Sequence, residues 1–229
     1  ILVDGDAKRL GSAPIGLAEA VPAISRGAVS RYLRQTARTG GADIVAPGGL
    51  KPTLGIKLDP IDSELEVIAV VSEPLDKFVL EDYVAATSFV EVELTDAIKL
   101  RIEQLILNTF ATTSGIANQP WDTAGLFATL RKGRLLAENL GYQPNTLALH
   151  PSDWAAVELT TDGQERFQLE PGGVPVDLAK KQVWGLEVVT STKVTVGEGW
   201  VFDSVDGLAI GTDGRLSVDW DTAGDLFTH

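Results

Sequence analysis

The chain has 229 residues, 44% of them hydrophobic and 22% charged, which suits a globular protein with one large core or two small ones. Its net charge is −13, so it repels phosphate on average and lacks the basic surface of a nucleic-acid-binding module. It has no Cys, which excludes disulfides, thiolate chemistry and all-cysteine metal sites.

The opening Ile1-Leu2-Val3-Asp4-Gly5-Asp6 has no basic stretch followed by an apolar one, so no signal peptide is expected there. No Met stands at position 1, and the expectation is that the true N-terminus was lost by maturation or trimming. Residues 1–25 read as an extended arm anchored by Ile15, Leu17, Val21 and Ile24. Residues 26–41 carry Arg26, Arg31, Arg34 and Arg38 without an acidic residue, and Val29, Arg31, Leu33 and Gln35 alternate as in a strand. Such a basic segment is either simply solvated or pairs with an acidic neighbour. Gly40, Gly41, Pro47, Gly48, Gly49, Pro52, Gly55 and Pro60 mark 40–63 as a projecting loop, and 65–72 reads as the strand that returns from it. A two-stranded excursion over 29–72 is marginal by itself and calls for a supporting partner.

Residues 76–108 give the strongest helical pattern, with Val79, Tyr83, Ala86, Val90, Leu94, Ala97 and Leu105 at helical spacing and Asp76 or Glu73 serving the first turn. At about 45 Å this helix is long for a compact domain. A polar loop from Asn108 to Trp121 follows, then a helix over 122–140 closed by Gly141. Thr146-Leu147-Ala148-Leu149 reads as a buried strand, and Ser152 or Asp153 as the cap of a short helix Trp154–Leu159. A loop over 160–176 leads to strands at 186–191, 199–203, 207–211 and 215–219. There is no internal repeat, no low-complexity tract and no run of about 18 apolar residues.

Little here points to catalysis. His150, Ser152 and Asp153 invite a hydrolase reading, but neighbours in one turn rarely reach triad geometry, and a strand-end His beside a helix cap explains them. The chain has no nucleophile elbow, phosphate loop or dinucleotide fingerprint. Asp203, Asp206, Asp213, Asp219, Asp221 and Asp225 lack calcium-loop spacing and read as turn residues, so no metal or other cofactor is expected. The five Trp (Trp121, Trp154, Trp184, Trp200, Trp220) have no basic groove around them and read as core anchors. Lys51 and Lys57 are ordinary loop lysines on this reading.

Four segments carry a resemblance. Leu149-His150-Pro151-Ser152-Asp153-Trp154 is similar to the strand, turn and short helix of the HK97-type major capsid proteins of tailed phages. Val183-Trp184-Gly185-Leu186-Glu187-Val188-Val189 resembles a second segment of that family, with Glu187 where Pro is common. Ala42-Asp43-Ile44-Val45-Ala46 and Leu50-Lys51-Pro52 resemble the tip of its extended loop.

The resemblance covers roughly 26–227 and implies an α+β, HK97-like capsid fold. Its parts would be an N-terminal arm (1–25), an extended E-loop (26–75), a P-domain spine helix with its following loop (76–121), an A-domain (122–203) and a return towards the P-domain (204–229). It implies a non-enzymatic subunit assembling as hexamers and pentamers into an icosahedral shell around double-stranded DNA, without sequence-specific binding. The wall's negative charge would keep the packaged polymer from adsorbing. The resemblance also implies a virion location, assembly in the host cytoplasm, and scaffold, maturation protease, portal and decoration proteins as partners. The expected inter-subunit residues are Arg26, Arg31, Arg34, Arg38, Leu50, Lys51 and Lys57, the arginines facing acidic surface of neighbouring subunits. Lys51 matches the position from which some members form a crosslink to an Asn; here that Asn, like the last P-domain strands, would fall beyond His229. An encapsulin-type nanocompartment shell is the alternative, and a hydrolase using His150 a remote one.

Overall fold

The computed structural model describes residues 13–27, 29–75, 86–160, 181–205 and 207–220. Two units organise the chain: 1–22, 68–210 and 217–229 form one, and 23–67 with 211–216 the other.

The first unit is built on a four-stranded sheet in the order β5 (Gln182–Val183), β6 (Leu186–Thr190), β4 (Thr146–Leu149), β7 (Gly199–Phe202). β4 runs parallel to β6 and antiparallel to β7. All four residues of β4 are buried because both faces of the sheet are covered. Leu147 and Leu149 face a cluster with Leu186 and Val188 of β6, Leu130 of α3 (Leu126–Asn139), and Trp154 and Val157 of α4 (Pro151–Glu158). Ala148 faces the opposite cluster, with Ile106 of α2 (Ala86–Thr112), Leu17 and Val21, and with Val189, Trp200 and Phe202 packed against it. Phe110 fixes α2 to this face, its ring centroid 5.2 Å from Trp200 and 5.4 Å from Phe202. The period of two along β4, β6 and β7 thus sorts side chains between two cores.

Within this unit several boundaries differ from expectation, each for a local reason. α2 continues past 108 to Thr112, where Thr109, Thr112 and Thr113 hydroxyls donate back to the preceding turn; residues 76–85 of the expected helix lie outside the described residues. α3 starts at Leu126 rather than 122, because the Asp122 carboxylate accepts from Ala124 N–H and shapes a turn before the helix. It ends at Gly141 (φ 88°), whose N–H reaches Glu138 O while Tyr142 N–H reaches Ala137 O, a left-handed C-terminal stop. α4 starts at Pro151 with His150 as its cap: His150 Nδ1 accepts from Ser152 N–H at 3.1 Å, and Pro presets the first helical φ. Neither Ser152 nor Asp153 caps this helix. The segment expected to be an extended arm holds, in its described part, the short helix α1 (Gly16–Ala20), with Leu17 fully buried, ahead of an extended stretch at 23–25.

The second unit is dominated by a hairpin of β2 (Val29–Gly40) and β3 (Leu54–Glu64), and β1 (Ala23–Ser25) forms a separate short pair with β8 (Ile210–Thr212). The strand thus returns at Leu54, within the expected loop, and residues 65–72, read as a strand, carry no regular structure. Gly55 and Pro60 are tolerated in β3 because a two-stranded ribbon leaves one edge of each strand unpaired. The remaining expected strand at 215–219 is irregular. The expected loop at 160–176, Asp206, Asp221 and Asp225 lie wholly or almost wholly outside the described residues.

Candidate assembly surface

The β2–β3 register assigns each side chain to a face. Arg31 opposes Asp62, Leu33 opposes Pro60, and Gln35 opposes Leu58. A bulge between Gln35 and Ala37 inserts Thr36 and reverses the parity of β2 beyond it. Arg38 therefore opposes Ile56 and Gly40 opposes Leu54, on the same face as Arg31 and Leu33. One face of the ribbon carries Leu33, Leu54, Ile56, Leu58 and Pro60, flanked by Arg31 and Arg38. The other carries Tyr32, Arg34, Ala37, Lys57, Asp59 and Ile61.

The apolar face is uncovered. Leu33 is 64% exposed, and Leu54, Ile56 and Leu58 are each about half exposed. At the tip, Gly49 N–H bonds Ala46 O across Pro47-Gly48, and Gly48 takes the φ of 84° that the third position of this turn demands. The tip exposes Ile44 (98%) and Leu50 (99%) almost completely, with Lys51 beside them. A patch of this kind on a two-stranded ribbon marks a surface built to be covered.

The expected site residues fall as follows. Arg31, Arg34 and Arg38 lie along β2, Lys57 lies on β3, and Leu50 and Lys51 lie in the tip. Arg31 has a partner inside its own hairpin, donating from Nε and a terminal nitrogen to Asp62 at 2.6 and 2.9 Å. The Arg31 guanidinium holds the Asp62 carboxyl below its ordinary value, and the same hydrogen bond raises Arg31. Asp59 opposes Arg34 but is engaged by Thr36 Oγ1 at 2.7 Å and Lys57 Nζ at 3.1 Å. Among the described residues, Arg34 and Arg38 have no ion pair. Arg26 lies outside the hairpin: its N–H bonds Thr212 O at 2.8 Å and its stem passes over Gly211. Sequence reading missed the apolar stripe, although Leu54, Ile56 and Leu58 alternate at period two.

The residues of the remote hydrolase reading are occupied otherwise. His150 Nδ1 takes the cap bond, and the Asp153 carboxylate accepts from Gly197 N–H at 2.8 Å. Trp184 sits at φ 51° in the two-residue turn joining β5 to β6, its indole donating to Phe127 O at 3.1 Å and its carbonyl accepting from Arg134. These contacts tie the turn to α3. Among the described residues no three His, Asp or Glu side chains converge as a metal site would require, and no helix is long and apolar enough to cross a membrane.

Comparison with known proteins agrees with this architecture. In structure the chain is similar to one from Mycobacterium phage Bobi, with a TM-score of 0.61 at 19% identity over 89% of this chain and 75% of that one. A chain from Microbacterium phage Oxtober96 gives a TM-score of 0.62 at 14% identity over 89% and 75%. A chain from the capsid of a native GTA particle gives 0.63 at 14% identity over 85% and 74%. These likenesses show a shared α+β capsid fold. No curated protein sequence matches the chain. Residues 82–227, more than half of the chain, match the phage capsid protein family. The chain belongs to that family, as a structural, non-enzymatic component of the phage capsid.

Proposed function

We propose that this chain is the major capsid protein of a tailed double-stranded DNA phage or prophage, assembling as hexamers and pentamers into an icosahedral shell that encloses the genome. In this reading 1–25 is the arm, 26–75 the E-loop, 76–121 the spine helix and its loop, 122–203 the A-domain and 204–229 the return towards the P-domain. The observation that carries it is the uncovered stripe of Leu33, Leu54, Ile56 and Leu58, which has no occupant among the described residues. Charge supports the same occupant. The hairpin Val29–Glu64 is nearly balanced, with Arg31, Arg34, Arg38, Lys51 and Lys57 against Asp43, Asp59, Asp62 and Glu64, but Arg34 and Arg38 have no ion pair among the described residues. A second copy of a chain of net charge −13 offers acidic surface to these two arginines, and burial of the stripe supplies the drive at about 25 cal/mol per Å².

The test is a triple replacement, Leu33→Ser, Ile56→Ser and Leu58→Ser, followed by electron microscopy and sedimentation. The wild-type chain should form capsomers or closed shells under assembly conditions. The variant should remain a folded monomer with unchanged circular dichroism. Shells at wild-type yield from the variant would overturn the reading.

A further inference from the structure

One carboxylate lies inside the fold, away from solvent. Glu103 projects from α2 one turn before Ile106 and is fully buried. Its Oε1 accepts the N–H groups of Leu17 at 2.7 Å and Ala18 at 3.1 Å, and its Oε2 accepts the hydroxyl of Ser191 at 2.5 Å. The Ser191 oxygen in turn accepts from Lys193 N–H at 3.1 Å. Leu17 and Ala18 stand in the first turn of α1, where backbone donors have no partner within the helix. No side chain of α1's own caps them. The cap comes instead from a helix more than eighty residues along the chain.

The rest of the attachment is equally local. Ile15 bridges to Ser191, and Leu17 and Val21 enter the cluster of Ile106, Ala148 and Val194. Gly16 passes so close to β6 that a Cβ there would lie 2.9 Å from the backbone oxygen of Thr190. A one-turn helix is not stable in isolation, so the order of this segment depends on these contacts. The body depends on them less. The pairings of β4 with β6 and β7 involve no residue before 146, and the cluster around Leu147 and Leu149 contains none of the segment's residues.

We propose that residues 15–22 are a strap that detaches from the body as a unit, and that the Glu103 carboxylate is the latch that sets how often it does so. The two states differ in whether Leu17 and Val21 are buried at home or presented to another surface. Charge-assisted bonds to backbone N–H groups are about twice as strong as neutral ones, so one side chain can dominate that equilibrium. The inference does not rest on the capsid reading.

Native-state hydrogen exchange of the full chain, read by mass spectrometry, tests it. In the wild type the amides of 15–21 should exchange faster than those of β4, as expected for sub-global opening. Glu103→Ala should speed the strap at least tenfold while β4 and α3 change less than threefold, with Glu103→Gln falling between. Gly16→Ala should speed the strap selectively without touching the carboxylate, Ser191→Ala should do so by removing the hydroxyl that Glu103 Oε2 accepts, and the two decide the matter if Glu103→Ala fails to fold. Equal rates for the strap and β4 in the wild type, equal acceleration of both in the variants, or an unchanged strap in all of them would overturn the proposal.

Discussion

The sheet-bearing unit and the β2–β3 hairpin use the same β geometry to opposite ends. In the first, alternation along β4 sends Leu147 and Leu149 to one core and Ala148 to another, and every residue of the strand is buried. In the second, alternation along β3 collects Leu54, Ile56 and Leu58 on one face that none of the described residues covers. Burial is therefore complete in one region and deferred in the other. A residue's contribution to monomer stability should follow that division, and its contribution to assembly should run the other way.

The largest contrast is expected from truncating one leucine in each region. Leu147→Ala should cost about 2–5 kcal/mol in chemical denaturation, through lost transfer free energy and the cavity left behind. Leu58→Ala should shift the same unfolding curve by no more than about 0.5 kcal/mol. Equal losses would show that the hairpin's apolar stripe is buried in the isolated chain after all.

Charge sharpens the comparison next. Arg34→Glu with Arg38→Glu should cut the yield of shells at least tenfold in an electron-microscopy count while leaving the melting temperature of the monomer unchanged. A stability loss with normal assembly would place these arginines in intramolecular roles.

A smaller effect separates two left-handed glycines. Gly141→Ala, at φ 88° in the stop of α3, should cost about 1 kcal/mol because a Cβ is strained there. Gly48→Ala carries the same strain at the hairpin tip. It should leave the global unfolding midpoint where it was, since the tip adds nothing to either core.

The smallest effect is that of the partly exposed ion pairs of α3 under acid. Arg131 above all, with Arg134, holds the Glu138 carboxyl below its ordinary value, and Lys132 does the same to Asp122. A carboxyl held low in the folded state contributes stability that is present above its unfolded value, about 4, and is lost as pH falls through the folded one. The melting temperature of the wild type should therefore exceed that of Asp122→Asn with Glu138→Gln slightly at pH 7, and the two should converge near pH 3. A gap that persists at pH 3 would assign the difference to packing rather than charge.

Much of this architecture was legible along the chain. The existence of α2 and the turn at Gly141 are local, and so are the pattern of β4 and its joining to α4; the core face of α2 was not, since Ile102, Ile106 and Phe110 rather than Val90, Leu94 and Leu105 pack there. The hairpin was legible only in part. Gly55 and Pro60 argue for a loop wherever a strand must pair on both sides, and only the two-stranded ribbon, with its free edges, makes them compatible with β3. The bulge at Thr36 had no signature at all, yet it places Arg38 beside Leu33 rather than beside Arg34. Glu103 stayed hidden for a different reason: on a helix of mixed polarity a lone Glu reads as solvated, and its partners lie more than eighty residues away on either side.

The sequence by itself determined that α2, α3, β4 and α4 form, that the chain is acidic around one basic stretch, and, through its ordered motifs, the capsid family. The tertiary structure alone decided which faces are paid for by their own chain and which are left open. Propensity and periodicity act over a few neighbouring residues, whereas burial of Glu103, occupation of His150 and exposure of the Leu33 stripe depend on what distant segments bring to the same place.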